Sequence, residues 1–380
     1  MKTYKQKLYN SKKNRYLDKL LNIACEIYNF ALHYKKEQYI LYKISVNKYD
    51  LQKLLSNMRN SEEYPLWKLV GSQVIQQITD RIYNAYDLAF TAMKAKKKSV
   101  KFPNFKKTFK YRSITFKQAG YKLLRGNKII IGEKTFKFFQ TREIEGKIKT
   151  LTVKRNSIGE YFIFITTDHV DINRNIFRTG KSVGFDFGLK QFLTCSDAND
   201  IDSPLFFKQD KKKIAKLSKQ VSSKKKGSNN RVKARLNLAR AYEDISNRRE
   251  NFHWQLANYL VNEYDIIYLE TLDLNSMRSR FGSKISDLGF YNFLKILEYQ
   301  FDKSNKIIKK IDKWYPSSKI CCCCGYINNN LKLRDREWVC PECHVKHDRD
   351  FNASVNIYVE GSRIVGTSTI KVISVNPSEN

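Results

Sequence analysis

The 380-residue chain carries 71 Lys and Arg against 37 Asp and Glu, a formal net charge of +34, and 42% of its residues are hydrophobic. That apolar content excludes general disorder, and the length allows two or three domains. No apolar run reaches the ~20 residues of a membrane span, and MKTYKQKLYNSKKNR lacks the apolar centre of a secretion signal, so a soluble cytoplasmic protein with no membrane partner is expected.

The charge favours a polyanionic partner, nucleic acid foremost, because neutralised phosphates release their condensed counterions. Residues 14 to about 40 place Leu17, Leu21, Ala24, Ile27, Ala31 and Tyr34 at three- and four-residue spacing, which predicts an amphipathic helix. A second stripe, Ile75, Ile78, Ile82, Ala85, Tyr86, Ala89 and Met93, follows Ser72, read as an N-cap, with Gln76, Asp80 and Arg81 off the stripe. Both stripes read as the core of a helical bundle. Between Lys94 and Lys128 lie thirteen Lys or Arg and no acid, interleaved with Phe102, Phe105, Phe109, Tyr111, Phe116 and Tyr121. Basic residues can track a phosphate backbone while aromatic faces stack on bases. Lys94, Lys96, Lys97, Lys98, Lys101, Lys106, Lys107, Lys110 and Arg112 are therefore candidate nucleic-acid contacts. The competing reading is a basic linker whose aromatics are buried in a neighbouring barrel. From about 113 to 167 the period falls to two, in KIIIG, IKTLTVK and EYFIFITT, with residues 155–159 turning the last two into a hairpin; a small antiparallel barrel is expected.

Near residue 180 the segment KSVGFDFGLKQFLTCSD reads as an apolar strand broken by Gly184 and Gly188, opening a new domain. Residues 208–240 hold thirteen basic residues against one acid, Asp210, around the loop SSKKKGSNN. Leu217 and Val221 before that loop, and Leu236, Ala239 and Ile245 after it, predict two helices joined there, and Lys224, Lys225, Lys226 and Arg231 join the candidate nucleic-acid contacts. A buried strand, YDIIYLE, a helix near 289–303 and the strand NKIIKKIDKW follow, so this half is expected to be α/β. The polar tail PSEN is expected to fray.

Six of eight cysteines fall between Cys321 and Cys343, which reads as a metal site and not as a disulfide framework. Cys321 pairs with Cys324 and Cys340 with Cys343 at C-x-x-C spacing, and fifteen residues separate the two pairs. This is the pattern of a four-cysteine zinc site, and four thiolates leave no open position, so the zinc is expected to be structural. Cys322 and Cys323 read as spare thiols, with His344 and His347 weaker ligand candidates than Cys343. Three acids stand out by context. Asp186 in GFDFG and Glu270 ending YDIIYLE sit in apolar strands, and Asp350 opens a helix in HDRDFNAS. Singly, each reads equally well as a strand-end surface acid or, for Asp350, an N-cap. Together they fit oxygen-only coordination of Mg²⁺.

The order GFDFGLK, YLETLDLNSM, SSKICCCCGY, REWVCPEC and HDRDFNASVNI resembles the TnpB family, the OrfB-type transposon-encoded RNA-guided DNA endonucleases related to compact type V CRISPR effectors. The resemblance reaches upstream to WKLVGSQVIQQITDRIYNAYDLAF, to KFPNFKKTFKYRSITFKQ, and to ISNRRENFHWQLANYLV, which is similar to the family's bridging helix and adds Arg248 and Arg249 to the candidate nucleic-acid contacts. It implies a multidomain α/β plus α+β chain. Residues 1–175 would form a wedge β-barrel (about 1–13 and 100–175) with an inserted helical recognition lobe (about 14–99). Residues 176–380 would form a RuvC-like nuclease domain of ribonuclease H fold, with a zinc ribbon at about 316–347.

By the same resemblance Asp186, Glu270 and Asp350 would be the catalytic acids, holding two Mg²⁺ ions, and the partners would be a guide RNA and target double-stranded DNA, with a nucleoid location when bound. Phe185 and Phe187 depart from the family's aliphatic neighbours, and Cys322 and Cys323 from its usual filling of the first cysteine pair. Three other readings are open: a nuclease-inactive RNA-guided binder, a protein-only junction-resolving nuclease, and a transposase that joins DNA ends.

Overall fold

The computed structural model describes residues 1–96, 100–170, 177–273, 282, 285–332 and 334–366. Lys97, Lys98 and the tail PSEN lie outside the described residues. The chain divides into two compact units, Met1–Asp171 and Ile172–Asn380. Among the described residues no helix is long and apolar enough to cross a membrane.

In the first unit, β1 (Lys2–Leu8) joins strands supplied much later: β2 (Ser113–Phe116), β3 (Tyr121–Leu124), β4 (Lys128–Ile131), β5 (Lys134–Phe139), β6 (Ile148–Arg155) and β7 (Tyr161–Thr167). Their order, β2-β6-β7-β1-β5-β4-β3, with every pairing antiparallel, gives a nearly closed, barrel-like sheet. Period-two burial selects the inner face, as in β7, where Tyr161, Ile163 and Ile165 are buried. Three helices, α1 (Asn14–Tyr42), α2 (Lys48–Asn60) and α3 (Ser72–Lys94), are inserted between β1 and β2. Their apolar stripes share one core with the sheet. Asp18 of α1 fastens the helix to the β6–β7 hairpin, accepting from the Tyr161 hydroxyl at 2.6 Å and pairing with Arg155.

Two helical expectations shift. Gly71, not Ser72, is the N-cap of α3, and it supplies no side-chain hydrogen bond. Met93 is 58% exposed and Ala92 takes its place at the core. A helix with an Asn47 cap, α2, escaped the periodicity reading because only Leu51 and Leu55 of its thirteen residues are buried.

The second unit centres on a five-stranded sheet of β8 (Ser182–Phe187), β9 (Gln191–Cys195), β10 (Ile201–Asp202), β11 (Ile266–Glu270) and β12 (Ile307–Ile311), ordered β10-β9-β8-β11-β12. The first three run antiparallel to one another, while β11 and β12 run parallel to β8. Gly184 does not break β8, contrary to expectation; it lies within the strand, and Gly188 sits at the turn into β9. Helices α4 (Phe206–Ser222) and α5 (Asn229–Glu263) flank the SSKKKGSNN loop. The apolar side of α5 and of α6 (Phe290–Lys303) packs with Val183, Phe185, Phe187, Ile267 and Leu269. Alternation then sends Gly184, Asp186, Tyr268 and Glu270 to the opposite face. That face is covered by α7 (Arg349–Val365), which follows the small hairpin β13 (Glu337–Val339) and β14 (Lys346–Asp348).

Candidate active site and metal centre

Two glycines bring α7 onto the sheet. A Cβ on Gly184 would stand 2.4 Å from the Ser354 carbonyl oxygen and 2.6 Å from the Tyr358 nitrogen, and one on Gly361 would stand 2.2 Å from the Tyr268 ring. No side chain fits at either contact, so strand and helix backbones meet at Gly184 and the helix backbone seats on the Tyr268 ring at Gly361. Asp186 lies two residues beyond Gly184, and Glu270, one step past the Leu269–Phe185 pair, falls beside it. Both sit at the carboxyl ends of parallel strands, the edge where open α/β sheets place their ligands.

Asp350 enters from the first turn of α7. Its own role is not capping: Asp348 is the N-cap, its carboxylate accepting from the Phe351 N–H at 2.9 Å. Asp186 faces the charges of both Glu270 and Asp350. Burial, followed by the charges of Glu270 and Asp350, pushes Asp186 well above the ordinary carboxylate range, and burial raises Glu270 as well. The Arg349 guanidinium works the other way on Asp186, and Arg336 donates to Asp350 Oδ2 at 2.8 Å. A partly buried site that holds three acids under mutual repulsion fits a hard divalent cation with oxygen ligands. The aromatic neighbours raise no conflict with this geometry: Phe185 and Phe187 are 0% and 6% exposed, on the α5–α6 side.

The thiols form a second centre. Cys321 and Cys343 Sγ lie 3.5 Å apart, as do Cys324 and Cys340, and all four sulfurs fall within 4.8 Å of one another. Zn–S bonds of about 2.3 Å require tetrahedral sulfur separations of about 3.8 Å, so the four thiols can hold a zinc ion. Each pair is a knuckle closed by backbone bonds, Gly325 N–H to the Cys321 carbonyl at 2.9 Å and His344 N–H to the Cys340 carbonyl at 2.9 Å. Gly325 and His344 both adopt positive φ, 79° and 57°, so His344 serves the backbone turn. Burial raises the Cys340 thiol, yet N–H groups of Cys343 and Glu342 outweigh it and bring Cys340 down to about 7.

His347 lies at the thiol centre. It is 6% exposed, its Nε2 is 3.0 Å from Cys321 Sγ, and its ring packs on Trp338. A second ligand grouping of Cys321, Cys323 and His347 is thus also assembled.

The basic ribbon between α3 and β2 is pinned to α1. Asn29 donates to the Lys106 carbonyl and accepts its N–H, both at 2.8 Å, and the Tyr28 hydroxyl donates to the Asn104 carbonyl. Lys94, Lys96, Lys101, Lys106, Lys107, Lys110 and Arg112 are exposed. The aromatics divide: Tyr111 and Phe116 are buried, as the competing barrel reading had it, whereas Phe102, Phe105 and Phe109 are 39%, 54% and 55% exposed. In the second unit Lys224, Lys225 and Lys226 are exposed at the helix–helix loop. Three arginines have internal work instead. Arg231 donates to the Val221 and Lys224 carbonyls, Arg248 pairs with Asp210 and Asp244, and Arg249 donates to the Ser286 and Asp287 carbonyls.

Residues 166–280 match the OrfB family of IS605 elements, described as "Probable transposase", and residues 290–357 match the Cas12f1-like TNB domain. A "Putative RNA-guided DNA endonuclease" of Streptomyces pristinaespiralis is 29% identical over 88% of this chain and 83% of its own length. The Escherichia coli K12 "Putative RNA-guided DNA endonuclease InsQ" is 24% identical over 82% of this chain and 80% of its own length. In fold, the chain is similar to Cas12f1 in its complex with single guide RNA and target DNA, with a TM-score of 0.55 at 16% identity, covering 90% of this chain and 81% of that one. Across these matches the chain is similar to OrfB-type, TnpB-like proteins.

Proposed function

We propose that the protein is an RNA-guided DNA endonuclease that hydrolyses phosphodiester bonds at Asp186, Glu270 and Asp350. The observation that carries this reading is the placement of Asp186 and Glu270 at neighbouring strand ends, on the face covered by the helix whose first turn bears Asp350. Bound Mg²⁺ would supply charge stabilisation at the scissile phosphate and activation of water. The chain's own residues do the positioning. Asp186 and Glu270 are fixed by adjacent strands, Asp350 by the α7 first turn, and the close Gly184 contact sets the distance between strand and helix. The strand order, three antiparallel strands followed by two parallel ones, supports a ribonuclease H-like, RuvC-like reading of the second unit. The zinc-ribbon reading rests on the four-sulfur cluster.

Specificity needs another source, because three carboxylates read no sequence. The exposed Lys94, Lys96, Lys101, Lys106, Lys107 and Lys110 can hold an RNA–DNA duplex by its backbone while base pairing selects the target. The names of the relatives and the presence of guide RNA and target DNA in the similar Cas12f1 complex support the same division of labour. Replacement of Asp186, Glu270 or Asp350 by Ala tests the reading. Each is expected to abolish Mg²⁺-dependent cutting while RNA and DNA binding persist, since phosphate affinity comes from the basic residues. Full activity in any of the three variants would refute the assignment.

A further inference from the structure

Past the acids, the carboxyl edge of the sheet carries an aromatic side chain that the reading above leaves without a task. Glu270 is paired in register with Ile311, the last residue of β12, and the Thr271 hydroxyl donates to the Ile311 carbonyl at 2.7 Å. Trp314 follows Ile311 by three residues, so its backbone stands within about 11 Å of the strand end opposite Glu270. It is 78% exposed. The other tryptophans are placed differently: Trp67 and Trp338 are 1% and 7% exposed, and Trp254 packs edge-on against Tyr299.

Its neighbours hold the indole outward. The Trp314 backbone N–H donates to Asp312 Oδ1 at 2.7 Å, and Tyr315 turns inward against the cluster of Tyr268, Ile311 and Ile357. Lys313 Nζ lies 4.3 Å from the ring centroid and covers one face; the exposure of the side chain leaves the other face to solvent. An open indole backed by a cation, three residues past the strand end paired with Glu270, has the chemistry to take an unpaired base on its face and a phosphate on its lysine.

We propose that Trp314 is the stacking platform for an unpaired base of the DNA strand delivered to Asp186, Glu270 and Asp350, with Lys313 meeting the neighbouring phosphate. The destination of that strand rests on the nuclease reading; the stacking does not, and it is measurable without cleavage. The test uses the full chain with its copurifying RNA and Glu270→Gln to prevent cutting, and follows tryptophan fluorescence on addition of a short oligothymidylate or an abasic strand of equal length. Oligothymidylate is expected to quench the signal and the abasic strand to leave it unchanged. Trp314→Leu should lose the quench and bind oligothymidylate about fivefold or more weakly, the low end for one base stack, while Trp314→Phe restores affinity. Because the side chain is exposed, the unfolding midpoint of both variants should equal that of the parent. Equal affinity in Trp314→Leu, or equal quenching by the abasic strand, would overturn the proposal. Base-dependent quenching in a chain that, with Glu270 intact, never cuts DNA would support the platform and overturn the nuclease reading; normal cutting without quenching would do the reverse.

Discussion

Asn352 ties the first cysteine knuckle to the helix that carries Asp350: its Oδ1 accepts the Cys322 N–H at 2.9 Å, and its Nδ2 donates to the Ile320 carbonyl at 2.7 Å. The side chain is fully buried, and Asn356 one turn later donates to the same Ile320 carbonyl and to that of Ser317. The thiol centre and the carboxylate centre therefore share one element, α7, and a disturbance of one reaches the other through two residues of helix.

Asn352→Ala should expose this coupling. It leaves a buried N–H without its acceptor and weakens the hold on a carbonyl, at a cost of about 1–3 kcal/mol for each group left unsatisfied. A lower thermal midpoint and faster loss of zinc to a chelator are expected. An unchanged midpoint together with unchanged zinc release would show that the knuckle is held by other contacts.

The ligand register is separable by metal content. Cys340→Ala should lose zinc and the local fold of the ribbon, because a structural zinc contributes folding free energy directly. Cys323→Ser and His347→Ala should each retain about one zinc per chain, as the four-cysteine set requires. Elemental analysis showing loss in Cys323→Ser and retention in Cys340→Ala would instead favour the Cys321, Cys323 and His347 grouping.

The Arg336–Asp350 ion pair would compete with any cation bound at the same carboxylate. The arginine is 61% exposed and the aspartate 28%, so the pair is worth little in water. Arg336→Ala should accordingly tighten Mn²⁺ binding by no more than about fivefold. Calorimetric titration that found weaker binding would mean that Arg336 helps to build the site and does not compete for it.

Stability should depend on pH through His253. Its imidazole is 1% exposed, with Nε2 2.9 Å from the Leu288 carbonyl, and burial pushes its pKa from 6.5 down to about 4. The unfolded chain therefore binds the proton first. The stability due to neutral His253 is complete above pH 6.5 and is lost as pH falls toward 4. His253→Gln keeps a donor for the carbonyl and removes the titration, so its denaturation midpoint should fall less steeply over that window than the parent's. Parallel slopes would exclude His253 as the source.

Much of the fold is legible because burial repeats at simple periods. The α1 and α3 stripes and the alternation of β6 and β7 each announce an element whose apolar face is the core. Legibility fails where another force decides. The short helix α2 rests on a cap and two leucines. Gly184 reads locally as a breaker, and only its contact with α7, distant in sequence, explains why a strand needs it. The C-x-x-C spacing was sufficient to bring four sulfurs together, since ligand geometry constrains it. No spacing rule could bring Asp186, Glu270 and Asp350 together; parallel pairing and helix packing do that. Nor could composition separate Arg231, Arg248 and Arg249, with internal partners, from the exposed lysines of the same charge.

Cleavage of a plasmid target by RNA-free protein, with and without added guide, decides whether the three acids cut where RNA directs. Cutting is expected only with guide and Mg²⁺, at a site that moves when the guide segment is changed, and it should vanish in Asp186→Ala. Equal, site-specific cutting in both reactions would contradict the account and leave a protein-only nuclease in its place.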